Sequence, residues 1–164
     1  MSEFKIETYK PGSHGDLEHL CAETQEEDVQ MLPLNPDRIA TQTERFVAVR
    51  FEARQVVGYC AQIATYPGAI AEVGSLIVDA PFRRHGLARQ LVVAVTNAIK
   101  ARTFMPIAFC NPTSQGVFEK VGYEPLPVSD IPPLALELCQ ACPKQPAGGG
   151  CCDKAYIYNE GETV

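Results

Sequence analysis

The stretch Ala71 to Ala101, AEVGSLIVDAPFRRHGLARQLVVAVTNAIKA, constrains the fold of this chain more than any other. Val73 to Val78 is an apolar run interrupted only by Gly74 and Ser75, the pattern of a strand covered on both faces. Asp79, Ala80 and Pro81 end it, because proline has no N–H to give a central ladder. After the short loop Arg83 to Ala88, Leu87, Leu91, Ala94, Val95 and Ala98 recur at helical spacing and give the next helix one apolar face.

A strand that feeds a tight Gly-containing turn into a helix N-terminus creates a place for an anion. The first N–H groups of the helix have no intrahelical acceptor, and the helix dipole places about half a positive charge there. Gly86 admits close backbone approach, Ala88 keeps the surface small, and Arg83 and Arg84 add charge. A phosphate or pyrophosphate is the expected guest. An ordinary strand-to-helix turn with two solvated arginines is the alternative that this physics leaves open.

Arg83-x-x-Gly86-x-Ala88, preceded by Leu76-Ile77-Val78 and Phe82, resembles the acetyl-CoA signature (Q/R)-x-x-G-x-(G/A) of the GNAT acyltransferase superfamily. Further on, Asn111-x-x-Ser114-x-x-x-Phe118-x-Lys120-x-Gly122-Tyr123 is similar to that family's closing pattern, N-x-x-A-x-x-x-Y-x-K-x-G-(F/Y). The two patterns together cover roughly Ala71 to Pro125. The resemblance implies an α/β fold of the α+β type: a mixed sheet of about seven strands with about four helices and splayed central strands.

Composition is consistent with that picture. At 164 residues the chain reads as one domain, residues 1–164, long enough to bury a core. It is 46% hydrophobic and 21% charged, as soluble globular proteins are. The net charge of −6 argues against broad nucleic-acid binding, which needs a basic face, and suits a cationic or amine partner. No apolar run approaches the ~20 residues of a membrane helix, and the N-terminus shows no secretory h-region. The expected location is cytoplasmic, where the seven cysteines would be thiols or metal ligands.

In chain order, Phe4 to Tyr9 alternates as a strand should, and Ser13 is placed to cap a helix running towards Glu27. Asn35-Pro36 predicts a second, short helix to about Thr43. Arg45 to Arg50 and Gln55 to Thr65 read as paired strands, Met105 to Cys110 as another, and Asn111-Pro112-Thr113-Ser114 as the start of a helix that runs to about Val121 and is stopped by Gly122. Residues 127–153 form a Pro/Gly/Cys-rich loop between the last two strands, and Lys154 to Asn159 closes the sheet.

The resemblance also assigns chemistry: acetyl transfer from acetyl-CoA to the amine of a small molecule or protein, within a ternary complex. It places the pyrophosphate on the backbone of Arg84, His85, Gly86, Leu87 and Ala88, with Arg83 nearby. The pantetheine arm would lie along Ile77 and Val78, with the Val78 N–H as oxyanion donor. Asn111 matches a cofactor-contacting position, although it is equally placed to cap a helix. Glu72 matches a family glutamate, and as a base acting through water it would accept the proton of the attacking ammonium. A solvent-facing strand-end carboxylate is the other reading of Glu72.

Phe118 departs from the pattern, since the family often has a tyrosine there that protonates the leaving thiolate. Tyr123, Tyr59, Tyr66 and Cys110 are the candidate substitutes. Cys139-x-x-Cys142 followed by Cys151-Cys152 offers four soft ligands for a structural zinc. The wording C-x-x-C-P also echoes iron–sulfur ligation, and a cluster of redox-sensitive thiols is a further alternative. The expected partners are acetyl-CoA and an amine acceptor, with a homodimer left open. An acyl-CoA-binding regulatory or metal-sensing protein with little catalysis is the competing function.

Overall fold

The computed structural model describes residues 3–15, 17–26, 31, 33–140 and 154–159. Among them are seven strands: β1 (Phe4–Thr8), β2 (Thr43–Arg50), β3 (Gln55–Tyr66), β4 (Ile70–Val78), β5 (Met105–Cys110), β6 (Tyr123–Pro125) and β7 (Lys154–Tyr158). They form one sheet in the order β1-β2-β3-β4-β5-β7-β6. β1 to β4 are an antiparallel meander, β5 is parallel to β4, and β7 enters antiparallel between β5 and β6. The six helices are α1 (Pro11–His14), α2 (Glu18–Thr24), α3 (Pro36–Thr41), α4 (Leu87–Ala101), α5 (Gln115–Val121) and α6 (Pro133–Gln140). Among the described residues no helix is long and apolar enough to cross a membrane.

The sheet separates the hydrophobic interior into clusters on its two faces. α4 supplies Leu87, Leu91, Val92, Val95 and Ile99 to one of them, against Val57, Ala71, Val73 and Val78 of the sheet. The sheet backbone is bare at Gly58 where α4 crosses: a Cβ there would meet Leu91 Cδ1 at 3.0 Å and Ile77 O at 3.2 Å. A side chain at that position would therefore push α4 off the sheet. On the other face Leu17, Leu20, Leu34 and Ile39 pack on Val47, Val49, Tyr59 and Ile77. Ala135 of α6 packs there with Tyr66 and Ile107.

Two expectations need correction. The single helix expected from Ser13 to Glu27 is two helices. Pro11 starts a first turn of helix early, and Leu17 adopts φ +61° to bring its side chain into the core, where it is 3% exposed. A left-handed non-glycine residue costs about 1–2 kcal/mol, which burial of a leucine offsets. The proline-rich stretch after Pro127 contains α6, because Pro133 stands in the first turn, where its missing N–H costs nothing, and good helix formers follow. With it the described residues hold six α-helices around the seven-stranded mixed sheet expected of the fold. The side chain of His14, at the end of α1, is only 3% exposed, with Nε2 2.8 Å from Glu7 Oε2.

That contact fixes the start of the fold. The hydrogen bond from His14, and secondarily that from Arg54, holds the Glu7 carboxyl below the usual carboxylate range. A depressed native pKa contributes stability above the unfolded value and loses it as pH falls through the native value. Glu7→Gln is expected to destabilise by about 1 kcal/mol at pH 7. Urea midpoints for variant and parent should converge as pH falls below the ordinary carboxylate range and through the lowered native value of Glu7, where the parent carboxyl also becomes neutral.

Candidate active site

The sheet opens at one place. β4 pairs with β5 only from Ile70↔Met105 to Val73↔Ala108, while β5 runs on to Cys110 paired on its other edge with β7. Gly74 to Val78 are left without a β5 partner, so β4 has a free edge facing the gap. β4 also carries an extra residue: Tyr59↔Ile77 is followed by Ala61↔Gly74, and Ser75 takes φ +54°. Such a bulge swings the strand locally and increases its twist.

The free edge can be read group by group. Asp79 N–H donates to Val57 O at 2.8 Å, so by the alternation of an antiparallel ladder Val78 turns both its N–H and its C=O away from β3, into the gap. The Val78 C=O accepts from Arg83 Nε at 2.9 Å. By the same alternation Ile77 turns its backbone groups towards Tyr59.

β4 then runs through a 3-10 turn, Ala80–Phe82, into the loop and α4. Arg84 has φ +68°, and Gly86 has φ +75° as the residue preceding the helix. Gly86 adopts that conformation without strain, and its C=O accepts from Gln90 N–H at 3.1 Å. The N–H groups of Leu87, Ala88 and Arg89 open the fifteen-residue α4 without intrahelical acceptors. The His85 ring packs on Phe4, with centroids 5.2 Å apart. Arg83, itself exposed, reaches across to α2, its Nη2 2.6 Å from Glu23 Oε1. Burial pushes the Glu23 carboxyl up, opposed by Arg83 and reinforced by the Asp79 carboxyl beside it.

At the other end of the gap stands Glu72, one residue before the strands part, opposite Ala64 on β3 and Ile107 on β5. Its neighbours Ala71 and Val73 belong to the cluster under α4, so Glu72 points to the opposite face. There Tyr66 Oη donates to Glu72 Oε1 at 2.5 Å. Tyr66 is 4% exposed, and the sequence pattern gave it no stronger claim than the other tyrosines. Its signal was the turn Pro67-Gly68, which folds β3 back onto β4 and sets residues 66 and 72 side by side. On the same face Gln42 Nε2 donates to Ser75 Oγ at 2.9 Å, and Gln42 Oε1 accepts from Tyr59 Oη at 2.7 Å.

The remaining candidates separate clearly. Tyr59 is wholly buried, and burial raises its phenol well above the ordinary value. Burial likewise raises Tyr123, whose hydroxyl is 2.7 Å from Thr96 Oγ1. Phe118 is 3% exposed, and its ring meets that of Tyr123 edge-on at 5.0 Å. Asn111 Oδ1 accepts from Ser114 N–H at 2.9 Å, an end-capping contact for α5. Cys110 is buried at the end of β5. The Cys139 side chain, Cys142, Cys151 and Cys152 lie outside the described residues. Among those described, no group of three or more His, Cys, Asp or Glu side chains is arranged to hold a metal ion.

The parted pair of parallel strands thus has a helix N-terminus at one end of the gap and a carboxylate at the other. The profile of the Acetyltransferase (GNAT) family matches residues 14–123, and the chain belongs to that family. An uncharacterized N-acetyltransferase of Chlorobaculum tepidum is 33% identical over 93 residues, which are 57% of this chain and 59% of that protein. The fold is that of the N-acetylglutamate synthase of Neisseria gonorrhoeae solved with coenzyme A and N-acetyl-glutamate. That match has a TM-score of 0.75 at 14% identity, over 96% of this chain and 35% of the synthase chain. A GNAT-family acetyltransferase of Staphylococcus aureus superposes with a TM-score of 0.69 at 13% identity, over 95% of this chain and 98% of its own. The match thus spans a little over half of the curated relative and about a third of the synthase.

Proposed function

We propose that this chain binds acetyl-CoA in the gap between β4 and β5 and passes the acetyl group directly to an amine. The observation that carries the reading is the free edge of β4, Gly74 to Val78, lying between the α4 N-terminus and Glu72. A cofactor whose pyrophosphate sits on the N–H groups at the start of α4 can lay its extended arm along that edge. Arg84 to Ala88 hold the phosphates, Ile77 and Val78 flank the arm, and Asn111 borders it from β5. The Val78 N–H, turned into the gap, is the donor to the thioester oxygen as negative charge develops on it.

An ammonium has no lone pair, so the acceptor must lose a proton before it attacks. Glu72 is the base, through water, and Tyr66 Oη fixes its carboxyl. As the tetrahedral intermediate collapses, the thiolate departs; a thiol pKa near ~8.5 makes it a tolerable leaving group without the acid that Phe118 cannot supply. Tyr66→Phe is expected to lower kcat about tenfold while leaving acetyl-CoA affinity unchanged.

The deciding experiment is continuous CoA release with a panel of amines, corrected for the protein's own thiols. Amine-stimulated release that is lost in Glu72→Gln supports the enzyme. Tight acetyl-CoA binding with no amine-stimulated release would instead favour an acyl-CoA-binding regulator, the reading to which the buried Phe118 lends weight.

A further inference from the structure

The two adjacent arginines of the loop have different surroundings. Arg84 is exposed, and no hydrogen bond or ion pair engages it among the described residues. Arg83 is engaged twice: Nε donates to Val78 O at 2.9 Å, and Nη2 to Glu23 Oε1 at 2.6 Å. The Glu23 side chain is 15% exposed and that of Arg83 55%, so the carboxylate is the shielded partner of the pair. The Val78 carbonyl lies beyond the end of the β4–β5 ladder, where β4 has no partner strand on that edge. Arg83 stands where the missing strand would have placed a donor, and Glu23 holds it there from α2.

We propose that Arg83 is a positioning residue rather than a phosphate ligand. It is a strut from α2 to the end of β4 that fixes the Val78 peptide with its N–H facing the cofactor arm. Arg84 supplies the loop's available positive charge to the phosphates. Because Arg83 already occupies the Val78 carbonyl, an arm lying at this residue meets a donor only and must present an acceptor to it. The inference rests on the acetyl-CoA reading above.

Calorimetry with acetyl-CoA and with acetyl-pantetheine, which has no phosphates, separates the two roles. Arg84→Ala is expected to weaken acetyl-CoA about tenfold and leave acetyl-pantetheine unchanged. Arg83→Ala is expected to weaken both by the same factor, about fivefold. In Arg83→Gln the amide nitrogen is as many bonds from the backbone as Arg83 Nε, so it keeps the donor to Val78 without the charge and should restore most of the affinity for both. Hydrogen exchange reads the strut without ligand: the amides of Glu18–Thr24 should exchange faster in Arg83→Ala. A loss confined to acetyl-CoA, an Arg83→Gln variant as damaged as the alanine, or unchanged exchange in α2 would each overturn the strut. A parent protein that binds neither thioester, with α2 still loosened in Arg83→Ala, would sink the proposed function and leave the strut standing.

Discussion

Glu72→Gln is expected to lower kcat by roughly 10²- to 10⁴-fold, the range that a positioned proton acceptor contributes. Glutamine keeps the shape and an oxygen for the Tyr66 hydroxyl, 2.5 Å away in the parent, so the β3–β4 turn should stay intact. The amide cannot take a proton, so the loss falls on the chemical step. Affinity for acetyl-CoA, whose proposed contacts lie further along β4, should not change. The measurement is kcat by CoA release, with calorimetric acetyl-CoA binding as control. A decrease of less than about threefold would place the base elsewhere or show that the amine arrives already neutral.

The second large effect is expected at Gly86. Gly86→Glu should weaken acetyl-CoA binding by about 100-fold or more, because it sets a carboxylate at the helix end where the phosphates would sit. Part of the effect is conformational. With φ at +75°, any side chain is strained there, at about 1–2 kcal/mol. Space is not the obstacle, since the nearest atom to an added Cβ is Gln90 Nε2 at 3.9 Å, and the variant should fold. Gly86→Ala isolates the strain. If alanine and glutamate weaken binding equally, the loop geometry matters and its charge does not; if neither weakens it, the cofactor lies elsewhere.

The cofactor half of the fold was legible in the sequence because its constraints are local. Val73 to Val78 had to be a covered strand, Gly86 had to precede a helix, and Leu87, Leu91 and Val95 had to face a sheet. The boundaries of β5 and the stop of α5 at Gly122 follow from equally local signals. What escaped depends on contacts distant in sequence. Leu17 is left-handed because the core pulls its side chain in, and residues 12–20 show no such strain in their pattern. The engagement of Arg83 by Glu23 joins positions sixty apart, so the signature alone makes both arginines of the loop look alike. The Tyr66–Glu72 pair needed the register of β3 on β4, which two bulges shift and no periodicity predicts. α6 was hidden by prolines that mark its start as readily as they mark a loop.

The place of β7 bears on how the molecule is made. It is the last of the seven strands in sequence and the sixth in space, inserted between β5 and β6. Without it, β5 has only the four-residue parallel ladder to β4, and Tyr123 to Pro125 have no strand to pair with. During synthesis, β1 to β4 and α4 can assemble as soon as they emerge, carrying the loop and the free edge. The opposite wall of the gap must wait for Lys154–Tyr158. The gap is therefore closed last, by the strand farthest along the chain, and a ribosome-bound intermediate would carry one bank of the cleft before the other exists.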